Sequence, residues 1–289
     1  MILILPAIIA RILSNGASNV FQKRLTGFGV EPFFVNMMSY GALCLVGLTF
    51  LLGNQLQELP LRYWTFSVLS GLTGALGNGF IVKALEKGEL SVMGPVNSYK
   101  PVVGMISSFF LTRELPNASG LAGVSLIIMG SYFVLDSTKE RFSWALLRNR
   151  SIQYRIAALL LTGIQAVIDK EVVLASNLRM AFFSWSFFGF LFTYAIWKFV
   201  GKSKVRSIGS ELQLHGKDYM LLIVCTGVMV FTTNFTFSKM PVGEALALFQ
   251  LSGMLTVYWG HRFFNEGQLF RKTVGAAIMA FGAAMMLIF

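Results

Sequence analysis

Long apolar runs with short polar interruptions occupy nearly the whole chain. The runs fall at roughly 2–22, 33–53, 62–83, 91–112, 117–135, 151–170, 179–200, 218–238, 243–263 and 270–289. Each is about twenty residues, the length of helix that crosses a bilayer core. The pattern predicts an all-α polytopic membrane protein with ten transmembrane helices. Connections are short except at 136–150 and 201–217. Leu59-Pro60, Leu115-Pro116 and Met240-Pro241 mark turns, because the residue before a proline avoids the helical region. Arg141–Arg150 mixes aromatic, leucine and basic residues, which suits a segment lying at the interface.

The informative positions are the polar ones inside the runs. The fourth run, SVMGPVNSYKPVVGMISSFFLT, carries Lys100 near its middle, followed by Pro101. A lysine at that depth costs roughly 2.5–3.5 kcal/mol and normally faces a polar cavity or a partner. Pro101 has no N–H, so the carbonyl one turn earlier, at Asn97, loses its helical partner. At helical spacing Met93, Asn97, Lys100, Gly104 and Ser107 share one stripe opposite Val, Met, Ile and Phe. The first run places Arg11, Asn15, Ser18 and Gln22 on one stripe. The third carries Gly71, Gly74 and Asn78, and the eighth Gly227, Phe231, Asn234 and Ser238. Four polar residues on one face favour a cavity wall over simple interhelical hydrogen bonding.

The chain also repeats itself. Gly88-Glu89 and Gly243-Glu244 open the fourth and ninth runs. Glu114, Gly123 and Gly130 match Glu266, Gly275 and Gly282 at one constant offset, and Gly16 and Lys23 match Gly163 and Lys170. This order predicts two five-helix repeats, 1–137 and 151–289, joined by a linker at 138–150. An odd number of spans per repeat inverts the second copy. Inverted repeats are characteristic of secondary transporters, with the site near the midplane between them. The position matching Lys100 is Ser252 and that matching Pro101 is Gly253, so the lysine is not a symmetric structural feature.

Composition narrows the function. Of 289 residues 55% are hydrophobic and 13% charged, too little charge to cover a soluble domain of this size. Met1 runs straight into apolar residues, so no cleavable leader is expected. Cys44 and Cys225 both lie in spans and are expected as free thiols. The net charge of +11 could serve a nucleic acid, but most of the 24 Lys and Arg lie in the odd-numbered connections. The positive-inside rule then puts those connections in the cytoplasm and both termini outside. There is no phosphate-binding GxxxxGK[ST] loop, no metal-ligand spacing around His215 or His261, and no catalytic triad or carboxylate pair. No cofactor, metal or catalytic residue is predicted. The competing class is an integral-membrane enzyme acting on a lipid-linked substrate, which would want carboxylates or histidines clustered at one interface.

Pro101 in the fourth helix, Glu114 at the following turn, and Gly120, Gly123 and Gly130 in the fifth form a recognisable series, which the second half keeps at Glu266, Gly275 and Gly282 but not at Gly253. With five helices duplicated, the chain resembles the drug/metabolite transporter superfamily, in particular its ten-helix EamA-type members. The resemblance implies a secondary transporter or exchanger of small polar metabolites in the inner (cytoplasmic) membrane, working by alternating access. It also implies termini inside, against this chain's own charge bias. The superfamily moves amino acids, nucleotide sugars, sugar phosphates, amines and drugs, so the cargo is left open.

Arg11 and Lys100 are the basic residues placed well inside spans. Arg grips carboxylate or phosphate bidentately and Lys supplies a point charge, which predicts an anionic or zwitterionic substrate. Pairing with Asp169, Glu244 or Glu89, or snorkelling of Arg11, is the alternative. The expected site joins Lys100 and Asn97 with Asn15, Arg11, Asn78, Asn234 and Gln250. Tyr99 and Trp185 are added for their depth. Asp169-Lys170-Glu171 reads as a solvated helix end, and Glu114 and Glu266 as helix caps. The expected partners are a small-molecule substrate, a coupling proton or counter-substrate, and membrane lipid, with no nucleic acid, in a monomer or homodimer.

Overall fold

A computed structural model describes residues 3–51, 59–87, 99–113, 118–135, 148–200, 208–264 and 269–288. All regular structure among them is helical. In chain order the helices are α1 (Ile4–Gly27), α2 (Pro32–Thr49), α3 (Leu61–Lys87), α4 (Lys100–Thr112), α5 (Ala118–Leu135), α6 (Arg150–Leu174), α7 (Leu178–Val200), α8 (Ile208–Phe237), α9 (Val242–Phe249), α10 (Ser252–Phe264) and α11 (Leu269–Ile288). Five of them, α1, α2, α3, α7 and α8, are long and apolar enough to cross a membrane.

The helices are two-sided. On α1, Leu5, Ile9 and Leu13 point outward, while Arg11, Ser14 and Ser18 are buried. Burying the polar stripe and exposing the leucines inverts the order of a soluble helix, as a hydrocarbon surrounding requires. On α4, Pro101, Gly104 and Ser108 face in, and Ile106, Phe109 and Phe110 face out. Pro32 at the start of α2 sits where its missing N–H costs nothing, and the Glu31 side chain accepts from Phe34 N at 2.8 Å.

Three elements depart from the expected spans. The ninth span is two helices, α9 and α10, parted at Gln250-Leu251, although no proline stands there. Gln250 N and Leu251 N reach back only three residues, to Ala247 O and Leu248 O. The carbonyls this leaves over are taken by side chains: Gln250 Nε2 donates to Leu246 O at 3.0 Å and Ser252 Oγ to Phe249 O at 2.7 Å. The expected connection 201–217 is helical from Ile208, with a kink at His215 (φ −127°, ψ 16°) where the imidazole stacks on Phe28. The sixth span runs on to Leu174, past its charged triplet. The start of the fourth span with Met93 and Asn97, the caps Glu114 and Glu266, and the segment 141–147 lie outside the described residues.

Helices α1–α5 pack chiefly on α6–α11 rather than on one another. The broadest seams are α5 on α11, α3 on α6, α1 on α8, α2 on α7 and α3 on α7. Helix α4 packs on α6 and α9, and α1 on α10. Small residues open these seams. A Cβ on Gly16 would strike the Trp259 ring of α10, and one on Gly163 would lie 2.6 Å from Val103 Cγ1 of α4. The two glycines that matched in sequence thus serve equivalent crossings, each letting a helix of the other half approach.

The α5–α11 seam is tightest at Gly130, where a Cβ would sit 2.7 Å from Gly275 O and 2.8 Å from Met279 N. Backbone cannot yield as a side chain can. Gly130→Val should therefore cost about 1–3 kcal/mol, the usual range for overpacking. The expected readout is a lower melting temperature and a smaller folded fraction on size exclusion in detergent; an unchanged melting curve would place the seam elsewhere.

Candidate functional site

The inward polar stripes meet at one central cavity with about 790 Å³ of atom-free space, part of it open to solvent. Helix α1 contributes Arg11, Asn15 and Asn19, α3 contributes Asn78, and α4 contributes Lys100 from its first residue. Helix α6 supplies Arg155, Thr162, Gln165 and Asp169, α8 supplies Thr233 and Asn234, and Gln250 comes from the break between α9 and α10. Trp185, Leu246 and Phe249 are among the apolar lining residues. Both halves of the chain therefore share the wall.

Several of these groups are held from behind. Arg11 Nε donates to Thr233 Oγ1 at 2.6 Å, and its guanidinium carbon lies 4.7 Å from the centre of the Phe249 ring. Arg11 is only 9% exposed, yet among the described residues its Nη1 finds no hydrogen-bond partner. Two sides of the guanidinium are thus fixed while a buried donor is unsatisfied, an arrangement that costs free energy until an acceptor arrives. Asn15 Nδ2 donates to Ser252 Oγ at 2.9 Å, tying α1 to the start of α10. Asn78 Nδ2 donates to Tyr40 OH at 2.9 Å and Gly74 O at 3.0 Å. Tyr40 in turn packs on Trp185, ring centres 4.4 Å apart. Ser70 Oγ donates to Asp169 Oδ1. Thr162 Oγ1, buried in the wall, has no partner among the described residues.

Of the residues expected at the site, Arg11, Asn15, Asn78, Lys100, Trp185, Asn234 and Gln250 line this cavity. Tyr99 does not: it precedes the first residue of α4, about 100° of helix turn away from Lys100, and is half-buried. Asn97 lies outside the described residues. Lys100 was open to a structural pairing with Asp169, but among the described residues neither forms an ion pair.

Two charged residues at the site have to be added. Asp169 is not at a solvated helix end: α6 continues past it, and its carboxyl takes the Ser70 hydrogen bond at the cavity wall. Arg155, four residues inside the sixth run, is buried at 3% exposure and lines the same cavity. Helical spacing links Arg155, Thr162, Gln165 and Asp169 into one stripe, the signal that would have found both. Two guanidinium groups, one ammonium and one carboxylate thus look into a shared space rimmed with amides. Such a set offers donors to an oxyanion and an acceptor to an ammonium.

Comparisons with known proteins agree with the helical plan. Residues 2–136 match the model of the EamA-like transporter family. An S-adenosylmethionine uptake transporter of Rickettsia felis is 23% identical over 117 residues, which make up 40% of this chain and 40% of that protein. The match therefore spans well under half of the relative's length. A solved protein crystal structure superposes with a TM-score of 0.70 at 16% identity, covering 96% of this chain and 94% of the other. At that identity the likeness speaks for the fold.

The glutamine at the break has a checkable role. Gln250→Leu keeps the bulk but strands the buried Leu246 carbonyl. It should destabilise by about 1–3 kcal/mol, the penalty for a buried acceptor left unpaired. A melting temperature equal to wild type would show that this carbonyl finds another donor.

Proposed function

We propose that this chain, which over residues 2–136 is of the EamA-like transporter family, is a membrane transporter that carries a small anionic or zwitterionic metabolite through the central cavity. It acts as a secondary transporter or exchanger in the cytoplasmic membrane. The observation that carries the reading is the cavity itself: Arg11 with an unsatisfied buried nitrogen, Lys100, Arg155 and Asp169 facing one space between the halves. Charge is placed at such depth only where it has work to do or a partner to meet. The added carboxylate favours a zwitterion, whose carboxylate would meet Arg11 and Lys100 while its ammonium meets Asp169. S-adenosylmethionine, the cargo named for the Rickettsia relative, bears both groups and is the first compound to try.

Alternating access rests on the two-repeat reading, with repeats at 1–137 and 151–289. Its support is the reciprocity of the seams: α3 on α6 answers α1 on α8, α3 on α7 answers α2 on α8, and α4 on α6 answers α1 on α10. The family match also ends where the first repeat should. Both termini are placed outside by the charge bias, which persists when the buried Arg155 is removed from the loop charges. The coupling partner is a proton or a counter-substrate.

Two outcomes are expected. Lys100→Met keeps the apolar stem and removes the ammonium. It should fold, insert and lose most of the thermal stabilisation that a carboxylate-bearing metabolite gives the wild type, because ligand binding to the folded state raises its melting temperature. Lys100→Arg should recover little, since the planar guanidinium needs a different geometry. Full ligand stabilisation of Lys100→Met would remove the lysine from the site. For topology, a C-terminal alkaline phosphatase fusion should be active and a C-terminal fluorescent fusion dark; the reverse pair would place the termini in the cytoplasm.

A further inference from the structure

Two ion pairs stand apart from the cavity, and they are related to one another. Arg62, near the start of α3, pairs with Glu171, near the end of α6. Arg24, near the end of α1, pairs with Asp218 of α8 at 3.3 Å. Arg24 and Glu171 lie at the same offset as the matching glycines Gly16 and Gly163. Arg62 and Asp218 lie at the same offset as Gly71 and Gly227, and as Asn78 and Asn234. The two pairs are therefore one feature written twice, once in each half, with the charges exchanged. In each, the arginine is largely exposed, with side chains at 64% and 46%, while its acid is nearly buried, at 8% and 11%.

They sit at opposite ends of the bundle. Arg24 lies just before the short turn into α2, whereas Arg62 follows the far end of that helix. The 18 residues of α2 separate them by about 27 Å. Next in the chain to each pair is an apolar cluster that can serve as a plug. Beside Arg24–Asp218 it contains Leu25, Phe34 and Tyr219. Beside Arg62–Glu171 it contains Tyr63, Val172 and Met180. Tyr63 and Tyr219 hold corresponding positions and both are fully buried. They differ in one respect: Tyr63 OH donates to Met180 O at 3.1 Å, while Tyr219 OH has no partner among the described residues.

From this we infer that the two ion pairs are the latches of opposite gates, each closing one end of the central cavity over its tyrosine plug. The assignment rests on the transporter reading of that cavity. Each latch joins helix one of one repeat to helix three of the other, and these same four helices carry much of the cavity wall. Parting α3 from α6 at one end, or α1 from α8 at the other, opens the cavity to that side alone. The Arg24–Asp218 gate is the looser, because the buried hydroxyl in its plug gains partners only when water enters.

The test reads access and needs no known substrate. In a background where Cys44 and Cys225, the free cysteines, are replaced by serine, Asn15→Cys reports the cavity. A membrane-impermeant maleimide is applied to right-side-out and inside-out vesicles. Arg62→Gln should raise labelling several-fold from one face, and Arg24→Gln from the other, with a larger rise for Arg24→Gln. The exchanges Arg62→Glu with Glu171→Arg, and Arg24→Asp with Asp218→Arg, should return labelling to the background level and show that the singles act through charge pairing. Should a single variant fail to fold, paired Cys substitutions at each latch, oxidised to a disulfide, supply the converse: each should abolish labelling from one face only. Labelling that ignores the latches, or rises on the same face for both, overturns the gate assignment. Labelling from neither face in any variant overturns the transporter reading itself.

Discussion

Charge in a hydrocarbon surrounding is the constraint from which the rest of the architecture follows. Arg11, Lys100, Arg155 and Asp169 cannot face lipid, so the helices that bear them must turn those faces toward one another. The same need explains why α1 buries Arg11, Ser14 and Ser18 and exposes Leu5 and Leu13. It also explains why backbone groups at the α9–α10 break are met by side chains instead of being left bare. Interhelical contact brings little hydrophobic gain inside a membrane, because lipid tails are as apolar as leucine. Close approach must supply the cohesion instead, and the glycines at Gly16, Gly163 and Gly130 provide it.

The sequence is most readable where a polar residue interrupts a long apolar run. Seven of the expected site residues stand around one cavity because helical periodicity is enough to bring Arg11 and Asn15, or Asn78 and Asn234, to inward faces. What escaped notice has a physical reason. Asp169 and Arg155 stand near the two ends of the sixth run, where a charged residue reads as part of a solvated end. The helix runs on past Asp169 to Leu174, and Ser70 meets the Asp169 carboxyl inside the bundle. Tyr99 stands off the cavity lining because depth along the chain says nothing of direction, and one residue of helix turns a side chain by about 100°.

The break at Gln250-Leu251 was illegible for another reason. Sequence reading looks for proline or a glycine pair, and a glutamine folding back on its own helix leaves no such mark. In the fourth span Pro101 is such a mark and shows openly.

That difference gives the halves unequal compliance. A helix running through Pro101 can never complete its ladder, because the missing N–H is covalent fact. At Gln250 nothing is missing. Were α9 to straighten into α10, the Leu246 carbonyl would exchange a side-chain amide for the backbone N–H of the same residue, a nearly even trade. The ninth span is therefore an elastic rod that stores little energy when bent. Motion between the halves should fall mostly on the side that can flex without losing a hydrogen bond.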